Sequence, residues 1–112
     1  MSLPLEGLKV LAFEQYGAGP FGSQYLSDLG AEVIKIEPAG TDGDYLRALG
    51  PYFIDEERNS ASSIFFQALN RNKKSITLNI LSGEGKEILG KLVKTSDAAV
   101  SYTHLTLPTT GI

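Results

Sequence analysis

Hydrophobic and polar positions follow two periods along this chain, and the changes of period mark its elements. Lys9 to Phe13 is apolar after its first residue (Val10, Leu11, Ala12, Phe13), which suits a central parallel strand covered on both faces. From Pro20 the spacing turns helical, with Phe21, Tyr25, Leu26 and Leu29 recurring at the helical interval. Pro20 fits the first helical position, where its missing N–H is no loss, and Gly30 is a natural left-handed stop. Glu32 to Glu37 returns to strand, rich in β-branched residues. Pro38 to Asp44 is a loop by composition, and Tyr45 to Arg58 is irregular, with a turn at Gly50-Pro51. A helix is predicted over Ser62 to Leu69, then a polar, basic link, Asn70 to Lys74. A third strand, Ser75 to Ile80, places Ile76, Leu78 and Ile80 on one face. Ser82 caps the next helix, Glu84 and Glu87 open it and Lys91 and Lys94 close it, in keeping with its dipole. Ile88, Leu89, Leu92 and Val93 form its expected buried stripe. Asp97 to Val100 begins a fourth strand.

This order, β-α-β, loop, α-β-α-β, predicts an α/β fold: a Rossmann-like open parallel sheet with flanking helices and right-handed crossovers. At 112 residues the chain is one domain or part of one. The expected division is a domain over 1–100 and a separate segment over 101–112. From Ser101 to Ile112 the only group able to carry charge is His104, and a Thr/Leu alternation reads as a weak strand ending at Pro108. There are no internal repeats.

Composition narrows the classes. A net charge of −3 gives no reason to expect nucleic acid or an anionic membrane as partner. No apolar run approaches the roughly 18 residues of a membrane span. Met1-Ser2-Leu3-Pro4 lacks the basic start and apolar run of a signal peptide. With no cysteine there is neither a disulfide framework nor a thiolate site, which fits a cytoplasmic location. His104 is the lone histidine, expected at the surface, and no metal is expected.

The candidate chemistry gathers around the turn after the first strand. Gly17 to Gly22 spells G-x-G-x-x-G, but Glu14, Gln15 and Tyr16 separate it from Phe13, whereas a dinucleotide site starts its glycines almost directly after the strand. The glycines either present a phosphate-binding turn or allow tight strand-to-helix packing. Glu37 is placed to bind a ribose. Asn70-Arg71-Asn72-Lys73-Lys74 either grips phosphate through charge-assisted bonds or is a solvated link. Arg47 is a phosphate ligand or one half of a surface ion pair. Glu14 is an acid–base candidate whose pKa burial would raise, or a structural acceptor. Asp42 and Asp44 lack the later ligands of a calcium loop, and there is no Ser-His-Asp arrangement.

Several longer stretches carry a resemblance. Leu5-Glu6-Gly7-Leu8-Lys9-Val10-Leu11, Ala18-Gly19-Pro20, Leu29-Gly30-Ala31-Glu32-Val33-Ile34-Lys35-Ile36-Glu37, and Asn70 to Ile76 with Glu84-Gly85 resemble the family III CoA transferases. That family includes formyl-CoA transferase, carnitine-CoA transferase and the α-methylacyl-CoA racemases. The resemblance covers Pro4 to Val100. It implies the truncated N-terminal part of a larger interlocked-dimer fold, with acyl-CoA and a carboxylic acid as substrates and coenzyme A as the group moved. In the family an aspartate attacks the acyl-CoA carbonyl, giving a mixed anhydride and then an aspartyl-CoA thioester, so that one hard exchange becomes easier steps. That aspartate lies downstream, so no catalytic residue is expected in this chain, and the chain alone is expected to be inactive.

By position, the implied CoA contacts are Gln15, Gly17 and Ala18, then Pro38, Leu78 and Leu81. Some members carry histidine at Gln15, glutamine at Gly17, arginine at Pro38 and a basic residue at Leu81. Phosphate contacts are therefore expected to move to Arg47 and to Asn72 and Lys73 of the basic link. After Val100 the family continues with an acidic residue, asparagine and phenylalanine, where this chain has Ser101-Tyr102-Thr103. The tail reads as translated sequencing-adapter sequence joined to a truncated gene. Other readings are an acyl-CoA racemase of the same family, a free-standing nucleotide-binding or regulatory module, and part of an NAD-dependent reductase.

Overall fold

The computed structural model describes residues 2–54 and 62–101. Four parallel strands, β1 (Lys9–Phe13), β2 (Glu32–Pro38), β3 (Lys74–Leu78) and β4 (Ala98–Ser101), lie in the order β3-β2-β1-β4. This is the first half of a doubly wound sheet, with the order reversing beside β1. In register, Val10 faces Val33 on one side and Ala98 on the other, and Lys35 faces Ser75. Three helices accompany the sheet: α1 (Ala18–Asp28), α2 (Ile64–Asn70) and α3 (Gly83–Lys94), with a 3-10 helix at Tyr45–Ala48.

Alternation of side chains sorts the strands into two unlike faces. One face packs Leu11, Ile34, Ile36 and Leu78 with Phe13, Ile76 and Ile80 against Leu89 and Leu92 of α3, and is apolar throughout. The other packs Val10, Ala12, Ala31 and Val33 with Leu26 of α1. Farther along the same face it turns ionic, because the next inward positions are Glu14, Lys35 and Glu37, all buried.

That change explains where the amphipathic reading of α1 parts from the structure. Phe21 and Tyr25 of α1 and Leu29 at its C-cap lie outward, more than two-fifths exposed, while Gly19, Pro20, Ser23, Gln24 and Ser27 are buried. A helix laid over carboxylates and an ammonium needs small and hydrogen-bonding residues beneath it, and Ser23 Oγ donates to Glu14 at 2.6 Å. In α3 only Leu89 and Leu92 of the expected stripe reach the core, and Ile88 and Val93 are about half exposed. Helix α1 begins at Ala18, so Pro20 is its third residue, still within the first turn where no donor is missed.

Its C-terminus closes at Gly30 as expected. Gly30 has φ +108°, its N–H reaches Ser27 O at 3.1 Å, and Ala31 N–H reaches Leu26 O at 3.0 Å, the paired bonds of a Schellman cap. Ser82 caps α3 by accepting from Gly85 N–H at 2.9 Å. β4 runs to Ser101, one residue into the segment set apart by composition. His104 and the rest of that segment, with the strand expected up to Pro108, lie outside the described residues, as does Arg58.

Candidate functional site

The carboxyl ends of β1, β2 and β3 open into a cleft of about 310 Å³. Its walls are largely apolar, from Phe13, Ile36, Leu78 and Ile80 of the sheet and Pro38, Ala39 and Leu81 of the loops; Gln15 and Asn79 contribute amides, and Glu14 and Glu37 lie at its base. An apolar slot with a few convergent polar groups is the usual form of a small-molecule site, and the carboxyl edge of a parallel sheet is its usual place. Four expected contacts, Gln15, Pro38, Leu78 and Leu81, meet here. Leu81 is 84% exposed at the rim, free to fold over a ligand.

Gly17 and Ala18 lie on the other side of the turn. Gly17 is the N-cap of α1, which has no side-chain cap there. It borders a smaller apolar cavity of about 130 Å³ with Tyr16, Leu46, Leu49, Phe65 and Leu69. A Cβ at Gly17 or Gly22 would meet nothing within 4 Å. Tight packing is therefore not what requires those two glycines, although Gly19 is buried.

The cations expected to meet phosphate are engaged with the protein's own carboxylates. Lys73, whose side chain is 2% exposed, donates to Glu14 Oε2 at 2.7 Å, Asn70 Oδ1 at 3.0 Å and Pro20 O at 3.0 Å. Burial lowers its pKa, and the Glu14 carboxylate opposes that. Arg47 pairs with Glu37 through two nitrogens and lies over the Phe66 ring, 4.1 Å from its centroid. Asn72, with φ +65°, donates to Asp28 at the far end of α1, at the opposite edge of the sheet from the cleft. In the rest of the basic link Arg71 pairs with Asp28 and Lys74 with Glu32. Glu37 is likewise occupied rather than open to a ribose. Burial raises its pKa, but hydrogen bonds from Arg47, Ser75 and the Asp44 amide outweigh burial and hold it at about 2.

Below the turn lies an arrangement the sequence reading passed over. Lys35 is 1% exposed, and its Nζ lies 2.9 Å from Asp44 Oδ2 and 3.4 Å from Glu14 Oε2. Asp44, with no exposed surface, also accepts from Leu46 N–H at 2.9 Å and from Tyr16 N–H at 3.1 Å. Two lysines and two carboxylates thus neutralise one another beneath α1. Removing one member of such a buried set strands the others, at a cost of about 3–5 kcal/mol. The signal was present in Val33-Ile34-Lys35-Ile36-Glu37: strict alternation puts Lys35 on the face of Val33 and Glu37. Glu14 serves as a structural acceptor, one of the two roles open to it from sequence. Tyr16 itself is left-handed, with φ +70°, a conformation costing a bulky residue on the order of 1–3 kcal/mol, and its ring stacks on Tyr45 with centroids 5.4 Å apart.

Among the described residues no group of three His, Cys, Asp or Glu is placed to hold a metal ion. No helix among them is long and apolar enough to cross a membrane.

Known proteins share this frame. A crystal structure of a CaiB/BaiF family protein from Brucella suis superposes with a TM-score of 0.82 at 42% identity, over 95% of this chain and 27% of that one. Succinyl-CoA:glutarate CoA-transferase of Homo sapiens is 44% identical over 97 residues, 87% of this chain and 21% of that protein. Formyl-CoA:oxalate CoA-transferase of Escherichia coli is 41% identical over 104 residues, 93% of this chain and 24% of that protein. The chain thus spans between a fifth and a quarter of the length of these curated relatives. The family model for CoA-transferase family III matches residues 5–105, and with that match over most of its length the chain belongs to CoA-transferase family III.

Proposed function

We propose that this chain is the nucleotide-binding part of a CoA transferase that moves CoA between an acyl-CoA thioester and a carboxylic acid, through an aspartyl intermediate whose nucleophile lies outside this chain. The observation that carries the reading is the cleft at the carboxyl ends of β1 to β3, where Gln15, Pro38, Leu78 and Leu81 converge. Its apolar walls suit the faces of an adenine ring, and the Gln15 and Asn79 amides suit its edge. A transferase is favoured over a racemase because the relatives named above are transferases. A nicotinamide dinucleotide is disfavoured because Glu37, the residue that would bind its ribose, is held by Arg47 and Ser75. A cytoplasmic homodimer of the full-length protein belongs to the same proposal. So does the inactivity of this chain alone, since it would bind the nucleotide without supplying the nucleophile.

Calorimetric titration with CoA and, separately, with NAD is the test. CoA should bind and NAD should not. Leu78→Asp, which sets a charge in the slot, should weaken CoA at least tenfold. Tight NAD binding without CoA binding would overturn the reading.

A further inference from the structure

We propose that Lys35 and Asp44 are positioning residues: their buried ion pair clamps the Tyr16 backbone in its left-handed conformation and so fixes the Gln15–Gly17 turn beside the ligand cleft. The inference rests on the CoA reading of that cleft and adds to it a pair of residues that need not touch the ligand.

Three observations carry it. The first is burial. The Lys35 and Asp44 side chains are 1% and 0% exposed, and neither lines the cleft. The second is where Asp44 spends its oxygens. One carboxylate receives the Lys35 ammonium at 2.9 Å, the Leu46 N–H at 2.9 Å and the Tyr16 N–H at 3.1 Å, joining β2, the 3-10 helix and the turn after β1. The third is the backbone it holds. Left-handed φ at a tyrosine is unfavourable and persists only where its surroundings over-determine it. Stacking on Tyr45 fixes the ring, and the Asp44 carboxylate fixes the amide.

The turn is held at its other end too. Lys35 Nζ donates to the Glu14 carbonyl at 3.3 Å, so one ammonium ties the residue before Gln15 to the carboxylate that ties the residue after it. Gln15 is exposed between these two anchors and faces the cleft. Without the ammonium, Glu14 and Asp44 would be two buried carboxylates facing one another's field, with Lys73 bonded to Glu14 and Arg47 acting on Asp44 from farther off, and the turn would relax from both ends.

Residue-resolved amide exchange and CoA titration test this, on the wild-type chain and on Lys35→Met and Asp44→Ala. In the wild type the Tyr16 amide should exchange at least tenfold more slowly than that of Gly40, an exposed loop residue. Equal exchange overturns the proposal without recourse to any variant. In either variant that folds, Tyr16 should exchange at least tenfold faster while Leu11 and Val33 stay protected, and the Kd for CoA should rise at least tenfold. A general loss of structure would move all three amides together. Unchanged Tyr16 protection, or faster exchange with CoA affinity within twofold of wild type, overturns the proposal. A wild-type chain that does not bind CoA overturns the CoA reading instead, and the clamp is then judged on exchange alone.

Discussion

A carboxyl group that titrates at about 2 inside a fold makes stability depend on acid. Glu37 is such a group: burial works against its charge, and Arg47, Ser75 and the Asp44 amide more than restore it. Above about pH 5 the carboxyl is ionised in both the folded and the unfolded chain, and its full contribution is present. As pH falls from the ordinary value of 4.5 toward 2, the unfolded chain takes up a proton that the folded chain refuses, and the contribution is lost. At about 1.4 kcal/mol per pH unit the upper limit is roughly 3 kcal/mol. Urea midpoints measured from pH 6 to pH 3 should therefore fall steeply, and Glu37→Gln should be less stable at pH 6 with a shallower fall. Equal slopes for the two proteins would remove Glu37 as the cause. The same residue shows a limit of reading sequence alone. Its place at the end of a strand is visible in the pattern, but whether its oxygens are free depends on Arg47 and Ser75, ten and thirty-eight residues away.

Elements whose pattern is set by one neighbour were legible, and those pressed between unlike neighbours were not. β1 is found over Lys9–Phe13 as read, and the Gly30 stop and Ser82 cap rest on local chemistry that travels with the residue. The outward aromatics of α1 follow from the charged sheet face beneath it, which is written in the alternation of β2 and not in the helix's own window. The cleft residues were reached through resemblance rather than periodicity, because loops after parallel strands carry no repeating pattern. Helix α3 offers a test in which two rules oppose. Alanine is the better helix former than glycine by about 1 kcal/mol, so propensity says Gly85→Ala stabilises. A Cβ there would run into the Asn79 carbonyl, where α3 passes the turn after β3. Crowding of that kind costs about 1–3 kcal/mol and acts on backbone that cannot swing away. Gly85→Ala should therefore destabilise in urea unfolding, by more than the roughly 1 kcal/mol expected for the lost cap in Ser82→Ala. A stabilised Gly85→Ala would show that the approach is looser than the structure has it.

At the scale of the molecule, the outer surface is more apolar than a solitary domain needs. Phe21 and Tyr25 meet edge to face on α1 at 53% and 58% exposure. Ile64 and Phe65 of α2 line a further recess with Tyr52. Exposed aromatic groups in this number favour association over solution. The chain should self-associate at tens of micromolar by sedimentation velocity. Replacing Phe21 and Phe65 by serine should shift it toward monomer, with a thermal midpoint within a few degrees of the parent, since neither ring is buried. Unchanged association would place the contact elsewhere.

The pairing of β4 with β1 sets an order of events during synthesis. β1 is the middle of the sheet, yet its second edge is filled by residues 98–101, and the clamp on Lys9 N–H comes from Asp97, 88 residues later. The β1–β2 pair can zip as soon as β2 has been made, because a single helical crossover separates its strands. The other side of β1 stays open until almost all of the described chain has left the ribosome. Throughout that interval a strand that is apolar after its first residue presents an unpaired edge, the state in which nascent parallel sheets are slowest to finish and most exposed to wrong partners.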